Sequence, residues 1–130
     1  MNANEVQVGG DHYKSSLQHW DFVSQALCGC YLEGCITKYV SRWRKKNGKQ
    51  DLQKAAHYLD KLYQEYLVHR CCSMKENQPD VISALALAGE FCVANNLDFV
   101  EEQIMINMVR WDSGEDLLEI KRLVNKLLEQ

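Results

Sequence analysis

One helical pattern occurs twice in this chain, and that correspondence limits the fold more than any other feature of the sequence. Tyr31-Leu32-Glu33 and Ile36 fall on Phe99-Val100-Glu101 and Ile104, and at the same offset Arg42-Trp43 falls on Arg110-Trp111. With the second turn taken shorter, Asp51-Leu52 falls on Asp116-Leu117, and Leu59, Lys61 and Leu62 fall on Val124, Lys126 and Leu127. Apolar positions meet apolar positions throughout. Each unit is an amphipathic helical hairpin with an open apolar side, and two such units satisfy that need by covering each other. The expected fold is all-α, with antiparallel helical hairpins forming two diverged copies of one unit, residues 1–76 and 77–130, around a shared core. A length of 130 residues suits one compact domain.

Local signals place the helices. A helix is expected from about His19 to Cys30, and a second from about Leu32 to Lys46, where Leu32, Ile36, Tyr39, Val40 and Trp43 recur at helical spacing. Asn47-Gly48 supplies the left-handed turn that ends it, and Asp51 is placed to cap a long helix reaching about Cys72. Asn77-Gln78-Pro79-Asp80 breaks the chain, with Asp80 capping a helix over Val81–Ala94 that Asn95-Asn96 closes. Asp98 with Glu101 forms a capping box for a helix to about Asp112, and Ser113-Gly114 turns the chain into a last helix through Leu128.

No apolar run approaches the roughly 20 residues that span a bilayer, and Met1-Asn2-Ala3-Asn4-Glu5 has no secretory pattern. A cytoplasmic protein with no membrane partner is expected. Cys28, Cys30, Cys35, Cys71, Cys72 and Cys92 lack the paired spacing of a zinc site, so they read as reduced, packed thiols, with no metal site.

The net charge of −3 is unevenly spread: residues 1–75 sum to +4 and residues 76–130 to −7. The positive charge concentrates in Lys38, Arg42, Lys45, Lys49 and Lys54, with residues 38, 42 and 45 expected on one helical face. Asp51 is the acid within that stretch. Crowded cations suit the oxygens of a phosphate, so the expected ligand is a nucleotide or another phosphate. Lys38, Tyr39, Arg42, Lys45 and Lys54 would hold it, Asp51 would orient a cation, and His12-Tyr13, on an arm after Gly9-Gly10, would close over base or sugar. In the second copy Lys38 and Tyr39 become Ile106 and Asn107, Lys54 becomes Glu119, and the basic turn becomes Asp112-Ser113-Gly114-Glu115. No Ser-His-Asp order, phosphate-binding P-loop or carboxylate pair for magnesium stands in the first copy. No cofactor is therefore required, although Mg2+ would accompany a bound nucleotide, and catalytic residues cannot be assigned.

A second reading belongs to a different class: a non-enzymatic inhibitor of a bacterial defence system, in the manner of an anti-CRISPR, docking on a host protein. Asp112, Glu115, Asp116 and Glu119 would then mimic nucleic acid. Direct nucleic-acid binding through Arg42, Trp43, Arg44, Lys45 and Lys46 is disfavoured, because Trp111 keeps the counterpart of Trp43 without the surrounding charge. A homodimer stays open.

The order Gly9-Gly10-Asp11-His12-Tyr13-Lys14, Trp20-Asp21-Phe22, Glu33-Gly34, Lys38-Tyr39, Arg42, Lys45-Lys46-Asn47-Gly48, Asp51-Leu52, Lys54-Ala55 and Tyr58-Leu59 resembles a phage family, domain of unknown function 3310, over roughly residues 5–66. Its members are often labelled nucleotide kinases. The resemblance implies a bacteriophage origin, a mostly helical domain and a link to nucleoside monophosphate metabolism. Any turnover would be of the nucleoside monophosphate kinase type. It also marks His12, Tyr13, Gly34, Lys38, Tyr39, Arg42, Lys45, Asp51, Lys54 and Tyr58. The family usually has Gly-Asn where this chain has Gly34-Cys35, which removes an amide that hydrogen-bonds in two directions.

Overall fold

A computed structural model describes Ala3 and residues 17–27, 30–68 and 80–130. These are all-α: α1 (His19–Ala26), α2 (Tyr31–Arg42), α3 (Lys49–Leu67), α4 (Val81–Ala94), α5 (Phe99–Arg110) and α6 (Gly114–Leu128). None of these helices is long and apolar enough to cross a membrane.

Side-chain chemistry near each terminus explains several boundaries. The Asp80 carboxylate accepts the Ser83 N–H at the start of α4. Asp98 and Glu101 form a reciprocal capping box at α5, with Asp98 N–H donating to Glu101 at 2.8 Å and Glu101 N–H donating to Asp98 at 2.9 Å. The Ser113 hydroxyl accepts the Asp116 N–H at α6. Three helices stop earlier than the sequence suggests, α3 among them, at Leu67 where about Cys72 is expected. α1 ends at Ala26, because Leu27 turns extended, and α2 ends at Arg42 rather than Lys46. At α3 the cap is Gly48 and not Asp51: Gly48 adopts φ +62°, a left-handed conformation that costs glycine little, and the helix begins immediately after it.

Two hairpins result, α2 against α3 and α5 against α6, and across the core α1 packs on α4, α2 on α5 and α3 on α6. Phe22 of α1 stacks on Phe91 of α4 with centroids 4.8 Å apart and planes at 14°. Ile36, Val40, Leu52 and Leu59 from one hairpin join Ile104, Met108, Leu117 and Val124 from the other in a single core.

Within that core the halves exchange hydrogen bonds. The Trp43 indole N–H donates to Glu101 at 2.5 Å, and the Trp111 indole N–H donates to Glu33 at 3.1 Å. Both carboxylates are buried, at 1% exposure for Glu33 and 2% for Glu101, so their lost hydration has to be offset by donors inside the protein. Arg44 adds its Nε to Glu101 at 3.1 Å. Truncation by Glu101→Ala removes the acceptor for a buried indole and a guanidinium together, and should cost about 2–3 kcal/mol in chemical denaturation. A loss below about 0.5 kcal/mol, the level of an ordinary surface substitution, would show that this junction does not hold the halves together.

Candidate functional site

On the α2–α3 flank three cations converge on one aromatic ring. Lys38 Nζ lies 4.7 Å from the Tyr39 ring centroid and Arg42 Cζ 4.9 Å, both from α2, while Lys54 Nζ approaches from α3 to 5.4 Å. Tyr39 stacks on Tyr58 at 5.9 Å, and Tyr31 meets Tyr58 edge-on at 6.0 Å. The ring quadrupole attracts each cation by about 0.5–1 kcal/mol at an exposed site, but the cations repel one another. Arg42 is balanced by Asp51, with Nε 3.5 Å from Oδ2. Among the described residues no carboxylate pairs with Lys38 or Lys54. The cluster therefore holds positive charge in excess of its internal partners, which is the condition for attracting an anion.

Several expected members stand elsewhere. Asp51 is fully buried in the first turn of α3, where its carboxylate accepts the Asn47 backbone N–H at 3.4 Å and the Asn47 side-chain amide at 3.3 Å. It closes the turn and neutralises Arg42, so it is not a helix cap. Lys45 lies beyond the end of the helix that carries Lys38 and Arg42. α2 ends at Arg42, and Lys45 lies exposed in the turn, its N–H donating to the Arg42 carbonyl at 3.0 Å. Lys49 is exposed at the first position of α3. Arg44 has a role that helical spacing did not suggest. It stacks on Trp43 at 4.3 Å and donates to Asp98 at 2.7 Å, to Glu101 and to Gln130 at 2.9 Å, tying the basic turn to the acidic half. The opposite charges of that turn and of the Asp98–Glu101 box were the available signal. Trp43 is buried as part of the same junction, at 8% exposure.

Residues 8–60 match the family model described as a protein of unknown function (DUF3310). That segment resembles DUF3310. Comparisons with curated proteins and with solved structures give no match. The DUF3310 segment takes in α1, α2 and the start of α3, hence Lys38, Tyr39, Arg42, Asp51, Lys54 and Tyr58, and it stops before α4. His12 and Tyr13 also fall within it, but they lie outside the described residues.

Of the acids in the second half, Asp116 accepts the Asp112 backbone N–H at 3.0 Å, and this bond above all holds its carboxyl below the usual carboxylate range. Glu119 takes two hydrogen bonds from Arg122, at 2.9 and 2.6 Å, which lower its pKa as well. Asp112 and Glu115 are exposed. Cys35 and Cys92 are buried thiols, and no cluster of metal-ligating side chains occurs among the described residues.

His19 was not singled out by sequence. Its Nε2 lies 2.8 Å from the Thr37 hydroxyl, and its ring meets the stacked Phe22 and Phe91 at a tilt, with centroids 6.5 and 5.9 Å away. Burial, reinforced by the charges of Lys38 and Arg42, lowers its pKa from 6.5 to about 4. The imidazole is thus neutral in the folded protein at pH 7. Because the unfolded chain binds the proton more readily, the stability linked to this group is complete above pH 6.5 and falls away between 6.5 and about 4. The difference in unfolding free energy between the native protein and His19→Gln should change by about 3 kcal/mol across that window. A difference that is flat with pH would contradict the burial of a neutral imidazole.

Proposed function

We propose that the Tyr39 cluster binds the phosphate of a nucleotide, with Lys38, Arg42 and Lys54 as the cationic groups. The observation that carries this reading is their convergence from two helices on one ring, where Arg42 faces the Asp51 carboxylate and, among the described residues, no carboxylate pairs with Lys38 or Lys54. The second half supports it by contrast. Ile106, Asn107 and Glu119 stand where the correspondence puts Lys38, Tyr39 and Lys54, so the charge is lost there while the Trp–Glu junction is kept. On this reading the protein is phage-encoded, acts in the cytoplasm of an infected bacterium and is related to nucleotide kinase-like proteins, with binding rather than turnover as its task. Mg2+ would arrive with the nucleotide, since Asp51 is already committed to Arg42 and Asn47. Docking on a host defence protein through the acidic half has less to rest on, because Asp116 and Glu119 already spend their carboxylates on Asp112 and Arg122.

The two halves are taken here as diverged copies of one unit. Support comes from the cross-pairing, in which Trp43 reaches the residue matched to Glu33 and Trp111 reaches Glu33 itself, the reciprocal pattern of a two-fold interface.

Calorimetry with inorganic phosphate, pyrophosphate and nucleoside mono- and triphosphates tests the phosphate reading. Lys38→Ala and Lys54→Ala should each weaken nucleotide binding about tenfold, the scale of one charge-assisted hydrogen bond. Arg110→Ala, at the exposed counterpart of Arg42, should leave binding unchanged. Silence across the panel at millimolar ligand, or equal losses in all three variants, would remove the proposal.

A further inference from the structure

Beside the cation cluster, α1 and α2 line an open surface groove of about 400 Å³. Trp20 and Val23 of α1 form one wall. Tyr31, Gly34 and Lys38, spaced three and four residues apart on one face of α2, form the other, and His19 lies alongside. Trp20 is 50% exposed and Tyr31 71%, although both carry large aromatic surfaces that a folded chain gains by burying. Gly34 presents no side chain to the groove; a Cβ there would stand 3.7 Å from Val23, in ordinary contact.

The groove meets the cluster at Lys38. Lys38 lines it and also stands over Tyr39, and Tyr31 contacts Tyr58, which stacks on Tyr39. A ligand filling both places is flat and aromatic at one end and anionic at the other. Inorganic phosphate alone would make no use of the exposed aromatic surface of Trp20 and Tyr31, and an apolar peptide would bring no counter-charge to Lys38. We infer that the groove between α1 and α2 receives the base of a nucleotide, set against Trp20 and Tyr31, while its phosphate rests on Lys38, Arg42 and Lys54. This rests on the phosphate reading above and adds the class of group that occupies the neighbouring space. Aromatic stacking tolerates any base, so the walls favour nucleotides as a class more than one base among them.

Binding of inorganic phosphate, nucleosides and nucleoside 5′-monophosphates to the full chain should be compared in the native protein, Trp20→Leu and Tyr31→Ala. Trp43 and Trp111 are buried, so quenching of indole emission by ligand reports mainly on Trp20. The expected result is at least tenfold tighter binding of monophosphates than of inorganic phosphate, with quenching, and loss of that advantage in Trp20→Leu while phosphate affinity stays the same. Monophosphates no tighter than phosphate, or Trp20→Leu weakening both equally, would overturn the base site and leave the phosphate reading standing. Nucleosides that bind and quench while phosphate does not would support the groove and remove the cation reading. No binding by any ligand would overturn both. Gly34→Leu serves as a second variant that fills the groove while Trp20 and Tyr31 are kept, and it should reproduce the loss in monophosphate affinity.

Discussion

Glu33 and Glu101 are carboxylates buried in an apolar core, and each is reached by an indole N–H from the opposite half of the chain. An isolated carboxylate in such surroundings would lose far more hydration energy than packing returns. The two halves must therefore meet in a register that delivers Trp43 to Glu101 and Trp111 to Glu33, and a slipped arrangement would leave a charge without donors. Apolar contact alone sets no such register, because one aliphatic side chain packs against another with little preference for position. The paired polar contacts select one docking geometry from those the greasy faces would allow.

That junction also organises what lies around it. Glu101 serves two structural ends at once, receiving Trp43 and Arg44 from the first half and the Asp98 N–H at the start of its own helix. Arg44 is drawn into the acidic half, whereas Lys38, Arg42 and Lys54 stay with Tyr39 on the α2–α3 flank. The basic stretch is thus divided: Arg44 joins the acidic half, while Lys38, Arg42 and Lys54 gather at the Tyr39 ring. In the second hairpin Glu101 and Trp111 take part in the junction, and on the proposed repeat correspondence Ile106, Asn107 and Glu119 would stand opposite Lys38, Tyr39 and Lys54.

Features governed by neighbouring residues were legible in the sequence. The α4 boundaries at Val81 and Ala94, the Asp98–Glu101 box, the Asn47-Gly48 turn and the final helix through Leu128 follow from side chains bonding backbone within a few positions. Features that depend on distant residues were not. Periodicity carries α2 onward to Lys46, yet it stops at Arg42, and the turn that follows holds Trp43 and Arg44, both tied to Glu101. Asp51 looks like a cap until the left-handed Gly48 takes that place and the carboxylate turns back to Asn47 and Arg42. Spacing put Lys45 beside Lys38, Arg42 and Lys54, whereas the cations at the Tyr39 ring are Lys38, Arg42 and Lys54, and Tyr31 joins the series through Tyr58, a contact that helical spacing alone does not show. His19 looked ordinary because its environment is made by Phe91, a residue far along the chain.

Chemical-shift mapping during a pyrophosphate titration would locate bound phosphate directly on the isotopically labelled chain. Saturable shifts centred on the Tyr39 ring and the Lys38 and Lys54 side chains, with the 111–116 turn unmoved, are the predicted outcome. Shifts spread evenly over exposed lysines, or strongest at Lys45 and Lys49, would contradict a built phosphate site on the α2–α3 flank.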